Sequence, residues 1–105
     1  EKYDIVLARA VARLPLLLEL CLPFCKTGGF FLAMKGPEGV NEIEESNYAL
    51  QQLGGFCKET NSFVFREKGF KRIIITIEKT ENTPAKYPRK AGIPQKRPLI
   101  KKQNG

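Results

Sequence analysis

The chain has 105 residues, 42% of them hydrophobic, and a formal net charge of +7. These values fit one small domain with a modest core and argue against a disordered body. No apolar run approaches the roughly 20 residues of a membrane-spanning helix, and the lack of histidine with only three cysteines argues against a zinc site or a disulfide framework. Unpaired cysteines indicate a reducing, cytoplasmic location.

The first half predicts a strand, a helix and a second strand. The β-branched run Tyr3–Ala8 is typical of a strand buried in a parallel sheet. The apolar run Leu14–Lys26 predicts a buried helix, because Pro15 suits its first turn and two glycines follow it. Cys21 and Cys25 are expected on one face of that helix. Phe30–Lys35 predicts the second strand.

Helical spacing returns at Val40 and continues to the Gly54-Gly55 pair, which predicts a single helix that ends there. Its apolar face is predicted to comprise Val40, Ile43, Leu50 and Leu53, and its solvated face Glu42, Glu44, Glu45, Gln51 and Gln52.

Two more strands follow, over Phe56–Phe65 and Lys71–Lys79. The glycine between them predicts an antiparallel pair. The resulting order, β-α-β-α-β-β, predicts an α/β fold with a mostly parallel sheet and an antiparallel last strand.

The whole net charge lies in residues 82–105, which we call the basic arm. The arm has no acidic residue, and its seven cations are Lys86, Arg89, Lys90, Lys96, Arg97, Lys101 and Lys102. Its four prolines predict an extended segment, ordered only where something holds it. Three interpretations stay open. The arm contacts RNA, for which Tyr87 offers a stacking ring; it is a proline-rich linker whose lysines keep it soluble; or it packs as a structural strap, anchored by Tyr87, Ile93 and Leu99, against a part of the protein outside this chain.

The sequence has no Gly-rich phosphate loop and no histidine-based nucleophile pair. In open α/β sheets, ligands bind beyond the carboxyl ends of the strands, which directs attention to Arg9 and Lys35. The alternatives are an ion pair between Arg9 and Asp4 and an ordinary charged strand end at Lys35. Arg66 and Arg72 flank the hairpin, either as solvated charges or as an extension of the arm's positive surface.

Three segments, YDIVLARAVA (3–12), AMKG (33–36) and YPRKAGIPQKRPL (87–99), carry a resemblance to one family. The chain resembles the carboxyl-terminal half of bacterial 16S rRNA guanine-N7 methyltransferases, the glucose-inhibited division protein B (GidB, RsmG) family. The resemblance implies half of a Rossmann-like class I methyltransferase domain over 1–81, followed by the arm over 82–105. The family's glycine-rich cofactor loop lies outside this half, so we expect the chain alone to be inactive.

The resemblance further implies methylation of guanine N7 in the 530 loop of 16S rRNA, with S-adenosylmethionine as cofactor. The full-length protein is then expected to act as a monomer on the small ribosomal subunit, without a metal ion or a membrane. Arg9 is implied at the cofactor site, and no catalytic side chain is assigned. The RNA-binding candidates are Lys35, Arg66, Arg72, Lys86, Arg89, Lys90, Lys96 and Arg97. The alternative function is a non-catalytic RNA-binding α/β module.

Overall fold

The computed structural model describes residues 2–9, 12–65 and 69–100. In these ranges the strands are β1 (Tyr3–Arg9), β2 (Cys25–Lys35), β3 (Gly55–Phe65) and β4 (Phe70–Lys79). The helices are α1 (Leu14–Cys21), α2 (Gly39–Glu45), α3 (Asn47–Leu53) and α4 (Ile93–Lys96), with a 3₁₀ turn at Leu22–Phe24.

The strands form one mixed sheet in the order β1-β2-β4-β3. The α/β class and the antiparallel β3–β4 pair are confirmed. The strand directions agree with the prediction, because β1, β2 and β3 run in the same direction and the last strand, β4, is antiparallel to them. The sequence does not indicate that β4 lies between β2 and β3. Alternation along a strand shows which side faces the core, but it does not show which strand lies beside it.

The core lies between one face of the sheet and helices α1 and α3. Alternate residues of β2 and β4 point into it, with Phe31 opposite Ile77 and Ala33 opposite Ile75. The helices and the 3₁₀ turn cover these residues with Leu14, Leu17, Leu18, Leu22, Ala49, Leu50 and Leu53. Each fully buried large aliphatic side chain contributes about 1.5–3 kcal/mol to folding.

The opposite face of β1 is open to solvent. Ile5 is 58% exposed and Leu7 is 71% exposed, whereas Val6 and Ala8 pack against the core. The prediction of a strand buried on both sides is therefore wrong within this chain. Among the described residues, the helices lie only on the face that Val6 and Ala8 share.

The first helix ends earlier than predicted. It stops at Cys21, and the 3₁₀ turn that follows contains Pro23, whose missing N–H prevents a continued helix. Cys25 is therefore the first residue of β2 rather than part of a helix face, and its thiol donates to the carbonyl of Phe30 at 3.6 Å. Gly28 and Gly29, which the prediction places after the helix, lie inside β2.

The predicted single helix over Val40–Leu53 is broken at Ser46 into α2 and α3. The break resets the helical phase, so Val40 is 52% exposed and Glu42 is buried, both against expectation. Gly54 ends α3 with φ +82°, and a Cβ there would collide with the carbonyl oxygen of Glu81.

The basic arm packs against the body over its described part, 82–100. Tyr87, Pro94 and Leu99 are buried, and the arm contains the helical turn α4 instead of being extended throughout. Of the three expected anchors, Tyr87 and Leu99 lie in the hydrophobic core, whereas Ile93 is 39% exposed.

Lys79 is buried at the end of β4 without an acidic partner among the described residues. Its ammonium donates to the carbonyls of Leu22 and Cys25, each at 3.0 Å, and so satisfies two carbonyl groups next to the 3₁₀ turn. Burial lowers the pKa of Lys79, and the charge of Lys2 lowers it further. The two hydrogen bonds offset part of the cost of burying this charge.

We predict that Lys79 makes stability rise with pH. Because its pKa is lower in the folded state than in the unfolded state, the unfolded chain binds more protons at pH values between the two. The free energy of unfolding of the wild type, relative to that of Lys79→Met, should increase as pH approaches about 10.5 and then level off. Urea denaturation of both proteins across this range measures the difference, and a constant difference would contradict the assignment.

Candidate functional site

A polar cleft of about 430 Å³ lies where β1 and β2 end. Its lining residues come from the ends of β1 and β2, the turn after β2 and the start of β4: Arg9, Met34, Lys35, Gly36, Pro37, Glu38 and Arg72. The antiparallel register of β2 and β4 sets the first residues of β4 beside the last residues of β2. The fold thus brings together three cations that the sequence left separate.

A second, apolar groove of about 240 Å³ adjoins this cleft on the open face of the sheet. Both share Arg9 and Met34. The rest of the groove is formed by Leu7, Ala8, Leu32 and Ile74. The combined surface offers an apolar wall next to a cationic rim, which suits a ligand with a flat ring and an anionic group.

Arg9 is the cation of the cleft most available to a ligand. Its side chain is exposed, and it makes no hydrogen bond or ion pair with any described residue. The alternative of an Arg9–Asp4 ion pair is not realised among the described residues; Asp4 lies near Lys26 instead, whose Nζ is 3.9 Å from Asp4 Oδ1. The free guanidinium can bind a carboxylate or a phosphate through two parallel hydrogen bonds.

Lys35 lies in the wall of the cleft with its charge turned inward. Its Nζ is 2.6 Å from Glu42 Oε1 and donates to the carbonyl of Ala12 at 2.7 Å, and both charged side chains are only 6% exposed. The same Glu42 oxygen accepts the backbone N–H of Leu14, at the start of α1, at 2.7 Å. This ion pair therefore joins β2, α1 and α2 behind the cleft.

Arg72 enters the cleft from the beginning of β4. Its Nη1 donates to the carbonyl of Lys71 at 3.0 Å, and its guanidinium lies 5.3 Å from the centroid of the Phe70 ring. These contacts restrict the side chain while leaving other N–H groups available to an anion. Arg66, the other hairpin candidate, lies outside the described residues.

Arg89 of the basic arm is occupied by an acid of the body. Its Nε and Nη2 donate to Glu19 Oε2 and Oε1 at 2.9 and 2.7 Å, and its backbone N–H donates to Oε2 at 2.9 Å. The Glu19 carboxylate is only 1% exposed. Burial by itself would raise the pKa of Glu19, but the hydrogen bonds and charge of Arg89 lower it overall.

The other described cations of the arm face solvent: Lys86, Lys90, Lys96 and Arg97. The ammonium of Lys86 lies 5.2 Å from the centroid of the Tyr87 ring. Tyr87 itself is buried, so only part of its ring is available for stacking on a base. The structure therefore divides the described RNA-binding candidates into two that pair with buried acids, Lys35 and Arg89, and others that do not.

Sequence reasoning missed both buried acids. The helical pattern places Glu42 on a solvated face, and it assigns no role to Glu19, which lies within the apolar run of the first helix. A single carboxylate inside an apolar helix is a usable signal, because such a charge is stable only when it is paired. The identity of the partner requires the tertiary structure.

The described residues contain no group of three potential metal ligands. No helix within those residues is long and apolar enough to cross a membrane. Burial raises the pKa of the thiols of Cys21, Cys25 and Cys57, which keeps them protonated and weakly nucleophilic.

Comparison with known proteins agrees with the resemblance carried by the three motifs. The family model described as "rRNA small subunit methyltransferase G" (GidB) matches residues 1–71. The chain belongs to this GidB family.

Individual members of the GidB family match nearly the whole chain. It is 51% identical over 100 residues to "Ribosomal RNA small subunit methyltransferase G" of Brevibacillus brevis (strain 47), covering 95% of the chain. It is 54% identical over 101 residues, or 96% of the chain, to proteins of the same name from Bacillus cereus (strain B4264) and Bacillus thuringiensis (strain Al Hakam). These alignments are long enough to include most of the basic arm.

The chain spans 42% of the length of each of these GidB relatives. The match nevertheless covers the structural parts of the cleft, since residues 1–71 include Arg9, Lys35 and Glu42. The cleft is thus built from residues within the family match and Arg72, which directly follows it.

We predict that the buried Lys35–Glu42 pair stabilises the folded protein and so keeps the wall of the cleft in place. Glu42→Gln should lower the free energy of unfolding by about 3–5 kcal/mol, because it leaves the Lys35 ammonium buried without a counter-charge. Adding Lys35→Met should recover part of this loss, since the unpaired charge is then removed. Denaturation of the wild type, the single variant and the double variant measures this coupling, and additive losses would show that the pair does not act as a unit.

Proposed function

We propose that this chain supplies part of the methyl-donor site and part of the RNA-binding surface of an enzyme that methylates guanine N7 in the 530 loop of 16S rRNA. The observation that carries the proposal is the cleft that joins Arg9 and Arg72, within a chain of the GidB family. The names of the relatives support small-subunit rRNA as the substrate. A ribosomal substrate implies a cytoplasmic enzyme, and we propose that the full-length protein acts as a monomer.

The residues of the cleft fit the carboxylate and the ring of a methyl donor such as S-adenosylmethionine. The unpaired guanidinium of Arg9 suits its carboxylate, and the neighbouring apolar groove suits a flat ring. When bound, the donor supplies a methyl group activated by a sulfonium. In this proposal Arg9 holds the donor, and Lys35 and Glu42 keep the surrounding wall in place.

The chemistry requires orientation more than acid–base catalysis. Guanine N7 already carries a lone pair and loses no proton when it is methylated, so a general base is not needed. This agrees with a chain that contains no histidine. Arg72 and the exposed cations of the arm would bind phosphates and hold the base in line with the methyl group.

The proposal is tested in the full-length protein that contains these residues, with small ribosomal subunits and S-adenosylmethionine carrying a labelled methyl group. We predict that label enters one guanine of the 530 loop, where cleavage chemistry specific for 7-methylguanine locates it. Arg9→Ala should weaken donor binding at least about tenfold, because it removes a charge-assisted pair. Lys2→Ala, at the other end of β1, is the matched control and should leave donor binding unchanged.

Arg72→Ala should act mainly on the RNA and raise the KM for ribosomal subunits more than it lowers kcat. Lys71→Ala removes an exposed neighbouring cation and is its control. If the full-length protein binds rRNA but transfers no methyl group, it is a non-catalytic RNA-binding module and the proposal fails. Transfer to another atom of guanine would overturn the N7 assignment.

A further inference from the structure

The Glu19–Arg89 pair is unusual for a surface arm, because it buries the carboxylate that the arm contacts. Glu19 projects from a helix whose neighbouring side chains Leu17 and Leu18 belong to the core. A carboxylate in this position is costly unless its hydrogen-bonding capacity is met. Both of its oxygens are used, and the guanidinium and the backbone of one arm residue use them. The body thus holds Arg89 in one orientation.

The same guanidinium also holds a second point of the arm. Arg89 Nη2 donates to the carbonyl of Arg97 at 2.6 Å, while it contacts Glu19 on its other side. Between these points, the N–H of Ile93 donates to the carbonyl of Lys90, and the N–H of Arg97 to that of Ile93. Residues 89–97 therefore form a closed loop that is fixed to α1.

Buried side chains fix this loop at further points. Tyr87 precedes it and Leu99 follows it, and both belong to the hydrophobic core. Pro94, within the loop, is also buried. Residues 87–99 are consequently held in place before any partner binds.

Three exposed cations of the described part of the arm are carried by this fixed loop. Lys90 follows Arg89 directly, and Lys96 and Arg97 close the loop. All three side chains are exposed and make no hydrogen bond or ion pair with any described residue. The arm contains no acid that could neutralise them. The loop therefore presents three available cations within eight residues of sequence.

A fixed cluster of cations suits the phosphates of a folded RNA. Because the loop is already ordered, binding incurs little further loss of conformational entropy, in contrast to a flexible basic tail. RNA fits better than a membrane surface, because peripheral membrane segments insert large apolar side chains beside their cations. Here Tyr87 and Leu99 are directed into the core, and Ile93, which is 39% exposed, is a single large apolar side chain among the cations of residues 89–97.

We infer that the Glu19–Arg89 pair is a positioning device that holds Lys90, Lys96 and Arg97 as a preformed phosphate-binding patch for RNA. This inference rests on the proposed function for the identity of the RNA, and it assigns a role to an acidic residue in binding a polyanion. It predicts that removing a negative charge weakens the binding of a negatively charged ligand.

Glu19→Gln tests the inference through the sign of its effect. The variant gains one unit of positive charge, so simple electrostatic attraction predicts tighter binding to RNA. If the pair positions the patch, affinity for transcribed 16S rRNA instead falls about threefold or more, because the loop must then be ordered on binding. The 105-residue chain is used, and its affinity is measured by titration at several salt concentrations. Unchanged or tighter binding by a folded Glu19→Gln variant would overturn the inference.

A triple variant tests the patch without touching a buried contact. Lys90→Gln/Lys96→Gln/Arg97→Gln should lower affinity about tenfold or more and make the slope of log K against log salt shallower by about 2, as expected for three lost phosphate contacts. The matched control, Lys2→Gln/Lys58→Gln/Lys71→Gln, removes the same charge from exposed positions of the body. Equal losses in the two triple variants would mean that net charge alone governs binding, and the patch would be rejected.

Hydrogen exchange of the wild-type chain gives a test that does not depend on any variant folding. The amides of Arg89, Ile93 and Arg97 should be protected without RNA. The amide of Arg89 donates to Glu19, and the other two donate to carbonyls within the arm. Rapid exchange of all three would overturn the inference. Binding to phosphatidylglycerol vesicles in preference to rRNA would also overturn it.

The outcome is distinguishable from that of the proposed function. These measurements need neither the methyl donor nor methyl transfer. If RNA affinity depends on the Glu19–Arg89 pair and the full-length protein transfers no methyl group, the phosphate-binding patch is supported and the proposed methyltransferase activity is rejected. If the full-length protein transfers the methyl group but the triple variant binds RNA with normal affinity, the proposed activity is supported and the patch is rejected.

Discussion

The buried contact between Lys35 and Glu42 is the constraint on which the arrangement of the cleft depends. A lysine at the end of a central strand would ordinarily extend into solvent, but this one is 7% exposed and turned toward the helices. It is stable there because one carboxylate, 2.6 Å away, supplies the counter-charge and also accepts the first N–H of α1. Three elements therefore meet at one oxygen atom, and the cleft lies on the other side of this junction.

The junction determines which cations of the cleft remain available to a ligand. With Lys35 committed to Glu42, the positive charge exposed to a ligand comes from Arg9 and Arg72. Arg9 has no partner among the described residues, whereas Arg72 is steadied by Phe70 and a backbone carbonyl. A free guanidinium next to a restrained one suits a site that holds two different anionic groups. This division of roles follows from packing, because the sequence does not show which of the three cations pairs with an acid.

A second buried acid makes a similar arrangement at the opposite side of α1. Glu19 fixes the basic arm as Glu42 fixes Lys35, and in both cases a buried carboxylate serves a cation and a backbone N–H. The strap interpretation has the arm pack outside this chain, whereas Tyr87, Arg89 and Leu99 hold the arm to the body of this chain. The exposed cations between these residues are the ones that the inferred RNA contact would use.

Local patterns determined the strands, the neutral body, the basic arm and the family. The alternation of Ile73, Ile75 and Ile77 predicts a half-buried strand whatever lies next to it, and a glycine or proline ends an element through its own backbone. The same patterns failed where a boundary depends on a distant contact. The helix over Val40–Leu53 breaks at Ser46, and β2 begins at Cys25, whose carbonyl accepts a hydrogen bond from Lys79.

Only the tertiary structure decided the partners of the buried charges and the membership of the cleft. Glu19 and Arg89 are 70 residues apart in sequence, and neither residue type indicates the other. The position of β4 between β2 and β3, which brings Arg72 to the end of β2, also leaves no local mark. The physical reason is the same in both cases: a charge specifies that it must be compensated when buried, but the position of the compensating group depends on the packing of the whole chain.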